Sequence, residues 1–268
     1  MVQQTPQNSL KVFLSSYLLI MFGLPLFALL TKSYETFPQE FLQKAFEPTA
    51  LSAYFITLST ALLAAIINGF FGLIVAWILV RFDFPGKKLI DAAIDLPFAL
   101  PTAVAGLTIT TVYSDQSFFG SLLNSVGIEV VFNRVGVGLA MVFVSFPFVV
   151  RSVQPILQEL QLDIEEAAWS LGASSIETFI KIILPAIFPS LLTGMTLAFS
   201  RAIGEYGSIV IVASNIPYRD LVASVLIFQS LEQYDKNGAT IYGTVILCIS
   251  LILLLTINSL QNIQKINE

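Results

Sequence analysis

The chain has 268 residues, 56% of them hydrophobic and only 12% charged, with a mean hydropathy of +0.82, a balance that excludes an ordinary soluble domain and points to a bilayer. A formal net charge of -5 with 13 Lys and Arg excludes nucleic acid as a partner, because phosphate binding needs a basic face. With no histidine and a single cysteine, Cys248, inside an apolar run, no His-based metal site, Ser-His-Asp triad, disulfide framework or thiolate cluster is available, so neither catalytic residues nor a cofactor is expected.

Residues 1–10 read as a short polar tail, lacking the basic start of a signal or transit peptide. The uncharged run over about 12–30 has the ~20 apolar residues a helix needs to cross the hydrocarbon core, with Gly23 and Pro25 weakening its ladder. A charged, aromatic interfacial loop over 31–50 leads to a second span over about 53–80. The turn Arg81 to Lys88, R-F-D-F-P-G-K-K, is a short basic connection. A third span is expected over about 90–113, with Pro97 and Pro101 near its start and Asp91 and Asp95 as caps or solvated ends that suit the helix dipole. Beyond a loop at 114–134, a fourth span covers about 135–153, and Arg151 and Gln154 begin its polar exit. A charged segment at 158–185 precedes a fifth span over about 186–213. The loop 214–238 has room for a short amphipathic helix at the outer surface, and the uncharged sixth span covers about 239–263. The fold expected is all-α: one transmembrane domain, 1–268, of six helices with both termini on one side.

Asp163 to Pro185 is charged and helical between apolar flanks. Glu165, Glu166, Ala167, Ala168 and Trp169 precede Gly172, a natural helix stop, and Pro185 is read as restarting a helix. Small alanines permit close approach to a partner, and carboxylates at the N-terminal end suit the dipole and can meet basic groups opposite. The order Glu166-Ala167-Ala168, Gly172, Ile182, Leu184-Pro185 resembles the E-A-A loop of importer permeases of the ATP-binding-cassette class, with every position filled.

A second site is Ser200 to Ser208, S-R-A-I-G-E-Y-G-S, read as the middle of the fifth span. Charges at membrane depth usually face a bundle interior or a water-filled path. Arg201 and Glu205, four residues apart, share a helix face: they either pair structurally or serve an anion path or gate, with Gly204 and Gly207 admitting close backbone approach. An internal echo also runs through the chain. L-P-F-A-L-P-T-A-V-A-G-L-T at Leu96–Thr108 and L-P-A-I-F-P-S-L-L-T-G-M-T at Leu184–Thr196 share Leu-Pro, Pro, Gly and Thr at identical spacing, from a parallel repeat or from the recurrent needs of membrane bundles.

The run Arg201 to Ser208, the E-A-A loop and the proline-rich Leu96–Thr108 together resemble the T-type subunit of sulfate/thiosulfate importer permeases, over about 10–263. The Gly204-Glu205-Tyr206-Gly207 element is similar to one in molybdate permeases. The resemblance implies a MetI-like six-helix fold with a cytoplasmic coupling helix. It also implies cytoplasmic ATP-binding subunits, a second, W-type permease and an external sulfate-binding protein. Glu165, Glu166, Ala167, Ala168, Gly172, Leu184 and Pro185 would then couple to the ATPase, while Arg201, Gly204, Glu205, Tyr206, Gly207 and Ser208 would line a pathway or gate. No phosphate-binding G-x-x-x-x-G-K-[ST] occurs in the chain, which fits that division of labour and a transporter component that is not an enzyme. Lys and Arg fall slightly more on the face shared by the termini, the bias of a cytoplasmic or stromal side, in a bacterial cytoplasmic membrane or a plastid inner envelope. An ion-coupled secondary transporter using Arg201 and Glu205, and a membrane scaffold, are the competing readings.

Overall fold

The structure, a computed structural model, describes residues 7–267, with side-chain surroundings for 10–259, so most of the polar tail lies outside the described residues. Every regular element among the described residues is helical. Five helices are long and apolar enough to cross a membrane: α1 (Leu10–Glu35), α3 (Pro48–Arg81), α8 (Arg134–Glu159), α10 (Ser175–Ile203) and the apolar part Lys236–Ser259 of α13 (Lys236–Asn267). Between them lie α2 (Gln39–Ala45), α4 (Lys87–Ile94), α5 (Leu96–Ala99), α6 (Thr102–Tyr113), α7 (Phe118–Ser125), α9 (Leu162–Ser170), α11 (Ile209–Val212) and α12 (Ala223–Glu232).

The core is α3, α8 and α10 packed along their lengths. Their contact is close because α3 presents Ala50, Ala53, Ala61, Ala64, Ala65, Gly69, Gly72 and Ala76 to its neighbours, and small residues let helices approach where hydrophobicity alone gives no drive. A Cβ at Gly72 would lie 2.9 Å from Val149 of α8, and one at Gly69 would meet Met195 of α10 at 2.8 Å. Two apolar clusters stack along this core, one around Ile56, Met141 and Ile209, the other around Val150, Leu157 and Ile187. Asn68, fully buried between them on α3, donates to Ser145 Oγ at 2.8 Å and to the Val142 carbonyl at 3.1 Å, a polar tie at bilayer depth.

The stretch expected to form a third span is not continuous. It is divided at Asp95 into α4 and α5, and again into α5 and α6 because Leu100 and Pro101 are extended, with ψ of 134° and 131°. Of the two prolines expected near the start of the span, Pro97 lies in the first turn of α5. Pro101 instead forms the N-cap of α6, and its ring forces Leu100 out of the helical region.

Two further expectations are corrected. Pro185 does not restart a helix: α10 already begins at Ser175 and carries Pro185 inside it, after a π-helical turn at Phe179–Ile183 in which the Leu184 amide bonds to the Phe179 carbonyl. A wider turn absorbs the proline where its ring would otherwise meet the preceding turn. The same device, Leu19–Gly23, precedes Leu24-Pro25 in α1. At its other end the helix stops at Ile203, so Arg201 lies in its last turn and Glu205 just beyond it, not in mid-span. The short amphipathic helix expected after the fifth span is present as α12: Ala223, Val225, Leu226 and Ser230 are buried while Phe228, Leu231 and Glu232 are exposed, and the Ala223 amide bonds to Thr57 Oγ1 of α3 at 2.8 Å.

Candidate functional site

At the end of the bundle where α3 stops and α10 starts, α9 lies as a short helix closed by Gly172, whose φ of 89° is the left-handed conformation of a glycine stop. The chain re-enters α10 through a capping box: Ser174 Oγ accepts from the Glu177 amide, and the Glu177 carboxylate accepts from the Ser174 amide at 3.0 Å. Glu166 and Ala167 are exposed, as are Leu162, Ile164 and Trp169, and Leu171 is 90% exposed in the closing turn. The outward face thus carries Asp163, Glu166, Ala167 and Ser170, two carboxylates among small side chains, with the apolar Leu162, Ile164 and Trp169 at its flanks. Ala168 and Glu165 point inward instead, and Glu165, 4% exposed, meets Arg81 at 2.6 Å. Glu165 is therefore not free to meet an external basic group. Leu184 is half-buried against the core and Pro185 is exposed.

The second site is where two interrupted segments meet. Arg201 Nη1 donates to Glu205 Oε2 at 2.8 Å, and Glu205 Oε1 accepts from the Ser208 amide at 3.0 Å and its hydroxyl at 2.9 Å. The Glu205 side chain, 2% exposed, is thereby charge-paired and hydrogen-bonded, the condition for holding a carboxylate in an apolar bundle. α12 closes the far side: Ser224 Oγ donates to the Glu205 carbonyl at 2.6 Å, and Tyr206 and Phe228 place their rings 4.8 Å apart. The 204–208 turn sits directly against α6. A Cβ at Gly106 would lie 2.6 Å from the Ser208 carbonyl oxygen, and one at Gly207 would strike Thr102 Oγ1. Gly204, by contrast, has nothing within 4 Å of where a Cβ would stand, so close approach is required at Gly207 only. The break before α6 and the break after α10 therefore pack directly against each other.

Spacing alone did not reveal one further cluster. Asp95 stands at the N-cap of α5 but makes no side-chain capping bond, and Asp91 lies inside α4; both carboxylates receive Arg151 of α8, whose Nε and Nη2 bind the two Asp95 oxygens at 2.9 and 2.7 Å and whose Nη1 reaches Asp91 Oδ1 and Gln154 Oε1, each at 2.6 Å. This bidentate fork, with Phe98 edge-on to Phe148 at 5.2 Å, holds α4 and α5 to the bundle. At the opposite end, Lys44 meets Asp235 at 2.6 Å and its hydrogen bond holds that carboxyl below the usual aspartate range. Arg134 there donates to the carbonyls of Tyr218 and Arg219. Among the described residues no cluster of Cys, Asp and Glu has the geometry to hold a metal ion.

A helical bundle with membrane-length spans, a small-residue core and an outward-facing short helix defines a multi-span membrane permease. The chain belongs to the family of binding-protein-dependent transport system inner membrane components, whose family model matches residues 68–265; such a protein is an integral membrane transport subunit and not an enzyme. It is similar to the probable sulfate transport system permease protein cysT of Chlorokybus atmophyticus, 62% identical over 251 residues, which is 94% of this chain and 88% of that protein. It is also similar to the sulfate transport system permease protein CysT of Synechocystis, 55% identical over 245 residues, 91% of this chain and 86% of that protein. Among solved structures, a bacterial ABC transporter involved in import of the acidic polysaccharide alginate superposes with a TM-score of 0.77 at 16% identity, covering 95% of this chain and 94% of that one. The inward-facing MetNI methionine ABC transporter gives 0.59 at 18% identity over 79% of this chain and 92% of that one. These two establish the fold.

Proposed function

We propose that this chain is the T-type permease subunit of an ATP-driven sulfate/thiosulfate importer, forming half of the translocation pathway. The observation that carries the cargo is the 62% identity, over nearly the whole chain, to a relative named for sulfate transport. Its partners on this reading are a W-type permease, two cytoplasmic ATP-binding subunits and an external sulfate-binding protein. A permease of the same fold, seen with a substrate-loaded periplasmic protein, supports the last of these.

The outward face of α9, Glu166 and Ala167 with Leu162, Ile164 and Trp169 beside them, docks on the ATPase. This puts the α9 end and both termini in the cytoplasm or stroma, in a bacterial cytoplasmic membrane or a plastid inner envelope. Gly172, Leu184 and Pro185 shape the connection into α10. At the far end of α10, Arg201 and Glu205 hold Tyr206, Gly207 and Ser208 against α6 at the gate. The Arg201 side chain is 31% exposed, so its remaining guanidinium edge can face a passing oxyanion while one nitrogen stays on Glu205.

The test is uptake of labelled sulfate by the complete complex in proteoliposomes. ATP-dependent uptake competed by thiosulfate and not by molybdate is the expected result. Arg201→Ala leaves the Glu205 carboxylate buried without its cation, costing about 3 kcal/mol, and should abolish uptake where Arg201→Lys retains part of it. Uptake that continues without the ATP-binding subunits overturns the reading, and preferential competition by molybdate reassigns the cargo.

A further inference from the structure

We propose that Arg81 is a positioning residue that clamps α9 to α3, so that Glu165 serves an internal transmission contact and not the docked ATPase; the inference rests on the coupling role given to α9 above. A helix that passes force from one subunit to another must be fastened to what it moves. Among the residues of α9 only Glu165 and Ala168 are buried, so its attachment consists of one charge and one methyl group. The charge has a built receptor. Arg81, the last residue of α3, lies with its Nη2 2.6 Å from Glu165 Oε1, the two side chains 10% and 6% exposed.

The same guanidinium reaches α8 directly and α10 through an intervening ring. Nη2 donates to the Leu160 carbonyl at the end of α8 at 3.2 Å. Its centre lies 5.6 Å from the ring of Trp77, which meets Phe179 edge-on at 5.3 Å, and Phe179 opens the π turn of α10. A displacement of α9 is thus felt at once by the ends of α3 and α8, and by α10 through the Trp77 ring.

The contact is suited to movement. Arg81 Nε and Glu165 Oε1 are buried without a hydrogen bond, so the pair is held by charge and not by the two-pronged alignment seen at Arg151 and Asp95. A bidentate fork fixes orientation, whereas a single ionic contact tolerates rotation about it. Burial keeps that attraction strong and makes loss of either charge costly.

Charge reversal and exchange in the full complex decide the matter. Arg81→Glu and Glu165→Arg are each expected to raise amide exchange over residues 162–172 about tenfold or more, and to lower the stimulation of ATP hydrolysis by sulfate-loaded binding protein by a similar factor. Unstimulated hydrolysis by the Arg81→Glu complex should stay within about twofold of wild type, a separation that a merely structural role would not produce. The double variant, with the charges swapped, should recover most of both signals. Arg81→Lys, which keeps the charge and loses the planar group over Trp77, covers the case in which reversal prevents assembly, with an expected loss of about threefold. Wild-type exchange and stimulation in the single variants, or a double variant no better than either, overturns the clamp. Absence of stimulation in the wild-type complex condemns the sulfate reading instead, and the exchange measurement still decides the clamp.

Discussion

Leu96–Thr108 and Leu184–Thr196 carry the same Leu-Pro, Pro, Gly and Thr at the same spacing, yet the first is broken at Leu100–Pro101 and the second is continuous helix. Proline content therefore does not decide where this chain unwinds. The second run lies against α3 and α8, burying Ile187, Leu191 and Gly194, and its upstream π turn makes room for Pro185. That burial outweighs the ~3 kcal/mol by which proline disfavours a helix interior. The first run lacks both supports: Asp95 ends α4 immediately before it, and Leu96, Phe98, Val104 and Leu107 are exposed. Where packing does not enforce the helix, the local preference of the residue before proline prevails, and the chain opens opposite the equally unwound 204–208 turn.

The glycines at matching positions test this contrast most severely. Gly106 faces the Ser208 carbonyl oxygen at 2.6 Å and Cα at 2.8 Å, backbone that has no rotamer to yield; Gly194 faces Val149 Cα at 2.9 Å and the Ser152 Cβ at 3.0 Å. Gly106→Ala is expected to cost about 3 kcal/mol and Gly194→Ala about 2 kcal/mol in thermal unfolding of the complex. Sulfate uptake per folded complex should fall far more for Gly106, because only that substitution pushes the two breaks apart. Equal losses of uptake would mean that the apposed breaks have no special part in transport.

The prolines themselves should give opposite, smaller effects. Pro185→Ala removes a helix-breaking ring from a helix that forms anyway, and is expected to stabilise by about 1 kcal/mol after the gain in unfolded-state freedom is subtracted. If the π turn then closes to α-helix, Phe179 turns away from Trp77 and ATP hydrolysis should become less responsive to cargo. Pro101→Ala, in a position already extended, should destabilise by about 0.5–1 kcal/mol through the unfolded state alone. A stabilising Pro101→Ala would show that the proline, and not the missing packing, holds that break open.

Much of the architecture was legible because bilayer thickness imposes a length and a composition that no soluble helix needs. The helical stop at Gly172 and the i, i+4 pair Arg201–Glu205 were readable for local reasons, and the Ser174–Glu177 capping box carries its own signal in the spacing S-x-x-E. What escaped depends on partners distant in the chain. Glu165 looks like any N-terminal carboxylate until Arg81 is beside it, and Asp91 and Asp95 look like caps until Arg151 reaches them from α8. The amphipathic character of α12 was readable, but its anchors were not: the bonds from Ala223 to Thr57 and from Ser224 to Glu205 join residues that only the fold brings together.

The smallest expected effect belongs to Gly204, and it separates two reasons for a glycine in the same short motif. Its φ of -82° and ψ of 4° are open to any residue, and a Cβ there would enter empty space. Three residues on, Gly207 stands against Thr102, so its missing side chain is what lets the two breaks touch. Gly204→Ala should therefore change stability by less than about 0.5 kcal/mol, as at unencumbered positions generally. Gly207→Ala must displace Thr102 at the first turn of α6 and should lower uptake sharply. Unfolding and uptake measured on the two variants side by side make the comparison. A Gly204→Ala variant as damaged as Gly207→Ala would mean that the space beside Gly204 is occupied during transport, and that the turn closes on α6 more tightly than its resting geometry requires.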